Sequence, residues 1–190
     1  AMNWGKDGAE EGTDWEDARR DLLRNLPSIR TRAALHIARY SIEVNPLPLM
    51  DTLEREIAMC RETRSARAFG SERPSTALQR ALAFALGGLR HAESAPLLVE
   101  RIQIARNAER EEMKAEVKSC LTDRDSVAAC ISALGDIGDT DGTDDPSRPA
   151  RIRDMASFAL RESLDPRIES AANVRVQAAY ALARMADPAA

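Results

Sequence analysis

The sequence predicts an all-α fold, a stack of antiparallel helix pairs, and three observations carry that reading. A ten-residue apolar pattern recurs four times at nearly constant intervals. Hydrophobic residues make up 44% of the 190-residue chain but aromatics only 4%, so the core has to be built from Ala, Leu, Ile, Val and Met. Such small and unbranched side chains suit helices packed closely on helices and are poor material for a β-sandwich. Charged residues, at 31%, then supply long solvated helix faces.

The repeated pattern is Ile29 to Ala38, Leu78 to Gly87, Ser126 to Gly135 and Val174 to Ala183. The tenth positions are Ala38, Gly87, Gly135 and Ala183, at intervals of 49, 48 and 48 residues. Apolar residues at the first, fifth and eighth-to-ninth positions share one helix face. The alanines let a neighbouring helix approach closely. The small tenth residue falls near the helix end, where glycine suits a C-cap.

Taken in order, helices are predicted near 13–26, 28–42, 46–62, 75–89, 94–121, 125–137, 148–164 and 173–186, about eight or nine in all. Thr13-Asp14-Trp15-Glu16 reads as a capping box opening the first. Pro46 and Pro96 sit in first turns, where proline is tolerated. Leu97 to Asp123 contains no Gly or Pro and is one long helix or two broken near Asn107. Residues 1–12 read as a disordered acidic N-terminal tail in which Ala1-Met2 is a tag remnant. Residues 13–190 read as a single helical-repeat domain, interrupted by edge loops at 63–74 and 139–149.

The string V-R-x-x-A-A-x-A-L-(G/A)-x-(I/M)-(G/A)-D resembles the second helix of HEAT repeats of the phycobilisome-lyase-like type. Val174 to Pro188 and Leu78 to Ser94 match it, and Ser94 to Ile102 resembles the first helix of a following repeat. Asn45 to Met50 is similar. The resemblance covers about residues 28–188. It implies a right-handed α-solenoid of HEAT-like antiparallel helix pairs. Residues 93–165 admit more than one assignment of first and second helices, because Ile152 to Leu160 also fits the motif between its third and fourth copies.

Several function classes are disfavoured. The net charge of −4 and pI near 5.4 give no global basic footprint, so nucleic acid is not the expected partner. No apolar run approaches the roughly 20 residues of a membrane span, and no signal peptide opens the chain. Cys60, Cys120 and Cys130 are odd in number and lack CxxC spacing, which fits packed free thiols in a reducing, cytoplasmic setting. The Ala- and Arg-rich composition points to a bacterial source. His36 and His91 have no zinc-spaced companions and read as structural. The loop Asp139-Thr140-Asp141-Gly142-Thr143-Asp144-Asp145 fails the EF-hand frame, since Gly142 at the sixth place puts Ile137 first and Arg148 twelfth. Arg61, Arg64, Arg67 and Arg73 read as a solvated edge. No phosphate loop, catalytic triad order, HExxH or CxxC occurs, so no catalytic residue, metal or cofactor is expected.

What remains is a binding surface. Second helices of HEAT-like arrays line the concave face, which on this reading carries Arg32, Leu35, Arg39, Phe84, Gln177, Tyr180 and Arg184 at motif positions four, seven and eleven. Aromatics and arginine are the usual anchors of interfaces. The expected function is a non-enzymatic scaffold or adaptor for a protein or peptide partner. The resemblance also implies two alternatives, a bilin lyase subunit and a HEAT-like DNA glycosylase. The acidic pI, and tryptophans confined to Trp4 and Trp15, argue against the second. Ala186 to Ala190 stops where the motif would lead into another first helix, so self-association through an uncapped C-terminal end is a further expectation.

Overall fold

The computed structural model describes residues 11–40, 45–66, 73–111, 115–138 and 148–186. Among them are nine α-helices and no strand. These are α1 (Glu11–Leu22), α2 (Pro27–Tyr40), α3 (Leu47–Ala66), α4 (Thr76–Gly88), α5 (Ala95–Arg110), α6 (Ala115–Leu121), α7 (Arg124–Gly138), α8 (Arg148–Leu164) and α9 (Ala172–Ala186). A 3-10 turn at Ala92–Ser94 joins α4 to α5. No helix among the described residues is long and apolar enough to cross a membrane.

The helices form two rows. The four motif copies are α2, α4, α7 and α9, and each packs on the next. Behind them α3 packs on α5 and α5 on α8, while α1 backs α2, α3 backs α4, α5 backs α7 and α8 backs α9. Arg153 early in α8 donates to the carbonyl of Met185 late in α9, so that pair is antiparallel. The assignment in 93–165 is thereby settled: α5 is a first helix, α7 a second, and the extra motif match at Ile152 to Leu160 belongs to a first helix, α8. One period of about 48 residues is one helix pair with its connections.

Local chemistry sets several helix starts. Ser75 accepts from the Leu78 amide at 3.3 Å and caps α4. Asp123 accepts from the Ser126 amide at 2.9 Å and from its hydroxyl at 2.6 Å, opening α7. The capping box expected at Thr13 is not the start of α1, which already includes Glu11 and Gly12; residues 1–10 lie outside the described residues. The break expected near Asn107 falls four residues later, at Glu111, because Ala108 is still buried on the core face of α5. The helical part of the arginine segment extends through Ala66, so Arg61 and Arg64 lie on α3 rather than in a loop. Arg67 and residues 139–147 of the acidic loop lie outside the described residues.

The tenth motif position has a different role from the expected C-cap. Gly87 and Gly135 lie inside α4 and α7. A Cβ added to Gly87 would sit 2.8 Å from Ala133 Cα, and one added to Gly135 would sit 2.7 Å from Ala181 Cβ. The tenth residue of one motif helix therefore meets the eighth residue of the next, backbone against methyl. The eighth residues Ala85, Ala133 and Ala181 are all buried. The first copy carries His36 there, on a helix with no earlier motif helix beside it among the described residues. The α4 C-terminus is closed instead by Arg90, whose φ of 49° is left-handed. Its amide donates to Gly87 O at 2.9 Å and the His91 amide to Leu86 O at 3.1 Å, the Schellman pattern usually given to glycine.

Arginines tie successive pairs together. Arg61 and Arg64 of α3 reach Glu100 and Glu111, Arg106 of α5 reaches Glu162 of α8 at 3.0 Å, and Arg80 of α4 reaches Asp125 of α7 at 3.1 Å. Arg184 of α9 reaches back to Asp136 of α7. Inside the stack runs a buried polar chain. Arg30 lies 3.8 Å from Glu56. Glu56 accepts from the Ser75 amide at 2.7 Å, Gln79 Oε1 accepts from Arg101 Nε at 2.6 Å, and Arg101 Nη1 donates to Leu121 O at 3.0 Å. Gln79 Nε2 faces Glu56 at 3.5 Å, so one amide stands between a buried carboxylate and a buried guanidinium.

Two glycines in neighbouring helices should respond oppositely to alanine. Gly135→Ala should lower unfolding free energy by about 1–3 kcal/mol, since the new methyl overlaps Ala181 in a packed seam. Gly88→Ala meets nothing within 4 Å and should be neutral or raise stability by about 0.5–1 kcal/mol through helix propensity. Urea denaturation of both variants measures the difference.

Candidate functional site

The motif helices share more than the seam. On their far side lies an open groove of about 530 Å³ that crosses all four. Its lining follows one rule. Relative to the ten-residue motif, every lining residue falls at position three, four or seven, or immediately before position one. The residues just before the motif are Ala77, Asp125 and Asn173; position three gives Thr31, Arg80 and Ala128; position four gives Ala81, Ala129 and Gln177; position seven gives Leu35, Phe84 and Ser132. That spacing is a single stripe along a helix, and four parallel helices repeat it side by side.

The floor is alanine. Ala81 and Ala129 are nearly sealed, at 1% and 3% exposure, while Leu35 and Phe84 rise above them at 49% and 50%. The only charged residues in the lining are Arg80 and Asp125, and they neutralise each other. Ser132, Asn173 and Gln177 supply neutral hydrogen-bonding groups on the α7–α9 side. The groove is thus half apolar, electrically balanced, and preformed by a floor with little room to move.

Of the seven residues predicted for the concave surface, the groove brings together Leu35, Phe84 and Gln177. Arg32 and Arg39 line a neighbouring cavity of about 260 Å³ against α1, with Ala18, Asp21 and half-buried His36, and Leu35 borders both. Tyr180 stands on α9 at 66% exposure, outside the groove lining. Arg184 is held by Asp136 and by the Ser132 carbonyl. The seven predicted residues stand at positions four, seven and eleven. Position eleven lies a turn beyond the groove, whereas position three, with Arg80, and the residue just before the motif, with Asp125 and Asn173, are part of it and are not among the predicted positions. The signal was present in the alignment of the copies: the residue before each motif is Ala, Asp or Asn in three of them, never bulky and apolar.

No cluster of three His, Cys, Asp or Glu side chains able to hold a metal occurs among the described residues. The thiols lie away from the groove lining. Cys60 and Cys130 are buried and Cys120 is half-buried. Burial raises the Cys60 thiol above its usual range, against the pull of Arg101 and of the Gln79 amide 3.4 Å away. Burial pushes Cys130 from 9.0 to about 11, again opposed by Arg101. Burial thus shifts both thiols in the direction opposite to that which activates a cysteine.

Residues 78–103, from the first turn of α4 through the 3-10 turn to the middle of α5, match the family model described as PBS lyase HEAT-like repeat. No curated protein and no solved structure matches the chain.

The buried thiols make stability depend on alkaline pH. Between 9.0 and about 11 the unfolded chain has lost the Cys130 proton that the folded chain retains. Unfolding free energy should therefore fall as pH rises through that window, with a slope approaching about 1.4 kcal/mol per pH unit. Urea titrations below and within that window, on the protein and on Cys130→Val, isolate the effect: the variant should lose the Cys130 part of the slope and keep the rest.

Proposed function

We propose, for a chain carrying a HEAT-like repeat of the phycobilisome-lyase type, a non-enzymatic role as a scaffold or adaptor that binds a protein or peptide segment across α2, α4, α7 and α9. The observation that carries this reading is the pair Leu35 and Phe84, half-exposed above a sealed alanine floor in a groove with balanced charge. Burying the remaining apolar surface of two such side chains contributes on the order of 1–3 kcal/mol to an interface. Because the floor is preformed, little of that gain is lost to ordering the protein. Asn173 and Gln177 each offer a donor and an acceptor, which matches the donor and acceptor of a peptide bond. In this reading Arg32 and Arg39 at one end, and Tyr180 and Arg184 at the other, form the polar and aromatic rim.

The neutral lining speaks against a nucleic-acid backbone, which selects rows of unpaired cations. The family match supports a second reading, a bilin lyase subunit in which the same groove receives a tetrapyrrole-bearing partner. Pigment absorbance in protein purified from its native source separates that reading from the first.

The direct test is selection of displayed random peptides on the immobilised protein, followed by calorimetry. The selected sequences should share an apolar anchor, and Phe84→Glu should weaken binding by about tenfold or more, equal to about 1.4 kcal/mol. Phe84 is half-exposed, so circular dichroism should show an unchanged fold. Binding that survives both Phe84→Glu and Leu35→Glu, or failure to select any peptide, would overturn the assignment.

A further inference from the structure

We infer that the outer face of α8 is a two-fold docking surface for a second copy of this chain. Phe158 is 64% exposed, a large aromatic side chain standing in solvent. It borders a second groove, of about 450 Å³, together with Asp154, Ser157 and Arg161 from α8, Leu182 and Met185 from α9, and Arg153, which is held by the Met185 carbonyl. The groove is separate from the one crossing the motif helices.

The spacing on α8 makes this face complementary to itself. Asp154, Ser157, Phe158 and Arg161 form one stripe at helical intervals. When two copies of α8 cross antiparallel about a two-fold axis between Ser157 and Phe158, each residue meets a definite counterpart. Phe158 of one copy covers Ser157 of the other, the small residue it needs. Arg161 meets Asp154 of the second copy, and the symmetry makes that pair twice. A closed two-fold contact of this kind uses the same patch on both partners.

Charge and packing agree with this occupant. Arg61 of α3 and Arg106 of α5, late in their helices, reach Glu100 and Glu162 of the following back-row helix. Arg161 is likewise late in α8, and among the described residues neither its side chain nor that of Asp154 makes a hydrogen bond or ion pair. Leu182 and the Met185 end of α9 continue the apolar surface beside Phe158. A second copy joined head to tail fits less well, because the seam needs a small residue at the eighth motif position and α2 carries His36 there.

Sedimentation equilibrium on the full chain over about 1 µM to about 1 mM tests the proposal, since a contact of this limited size is expected to associate weakly. The protein should dimerise, and Phe158→Glu should raise the dissociation constant at least about tenfold. Asp154→Arg alone should also weaken the dimer at least about tenfold, by facing Arg161 with a like charge. The double variant Asp154→Arg/Arg161→Asp restores both opposite-charge pairs and should dimerise nearly as well as the parent. All of these side chains except Ser157 are exposed, so the variants should keep their fold, and circular dichroism checks that they do. A monomer throughout the range, or a double variant as weak as the single one, would overturn the assignment, and so would a dimer indifferent to Phe158→Glu.

Discussion

A helix can approach another to within backbone contact only where one of them gives up its side chain, and this chain does so at the tenth motif position of α4 and of α7. Gly87 lies against Ala133 and Gly135 against Ala181, so that a single methyl on either glycine has no room. That contact recurs at the same two motif positions, tenth on eighth. It therefore holds successive motif helices parallel and in register. Ridges-into-grooves packing between bulkier residues would have left the register to many weaker contacts. Once the seam is fixed, the stripe on its far side becomes a continuous groove, and the back row can be bridged by arginines of nearly constant placement.

The polar interactions act at two levels. The exposed bridges, such as Arg80 with Asp125 and Arg184 with Asp136, are worth little each, because water screens them. They reinforce register by rewarding one alignment of neighbouring helices over its alternatives. The internal chain through Glu56, Gln79 and Arg101 is of another kind. Arg101 is fully buried, and its hydrogen bonds go to an amide and a backbone carbonyl rather than to a carboxylate. A buried cation held this way is costly to leave without its partners. It ties α3, α4, α5 and α6 together at the point where the back row changes from one long helix to two.

Much of this architecture is legible in the sequence, because the repeat is written in residues that serve packing directly. The four motif copies are the four helices of one row, and their intervals are the repeat length. Glycine and alanine at the tenth position also announce a close approach, and the helix ends expected there lie beyond them. A helix can carry glycine for its neighbour's sake as well as for its own end. The left-handed residue that closes α4, Arg90, is not legible in the sequence, because an arginine in that conformation leaves no compositional mark. Leu35, Phe84 and Gln177 of the groove were found through position seven and position four. Arg80, Asp125 and Asn173 lie at position three or just before the motif, where the copies show only that no bulky apolar residue occurs, and the packing of the row adds which end of each helix the groove occupies. The Gln79–Arg101 pair links residues 22 positions apart on different helices, a relation that no local pattern encodes.

The central claim is that the motif helices stand in one evenly stepped parallel row, and spin-label distances between seventh positions test it most directly. Labels at 35, 84, 132 and 180 are read in pairs by pulsed electron resonance in a background with Cys120 replaced. With interaxial steps of about 8–10 Å, pairs two helices apart should read roughly 20 Å and the outermost pair roughly 30 Å. Equal steps along the series are the result this account requires. A series that fails to lengthen from 35–132 to 35–180, or that jumps by twice the step at one junction, would contradict it.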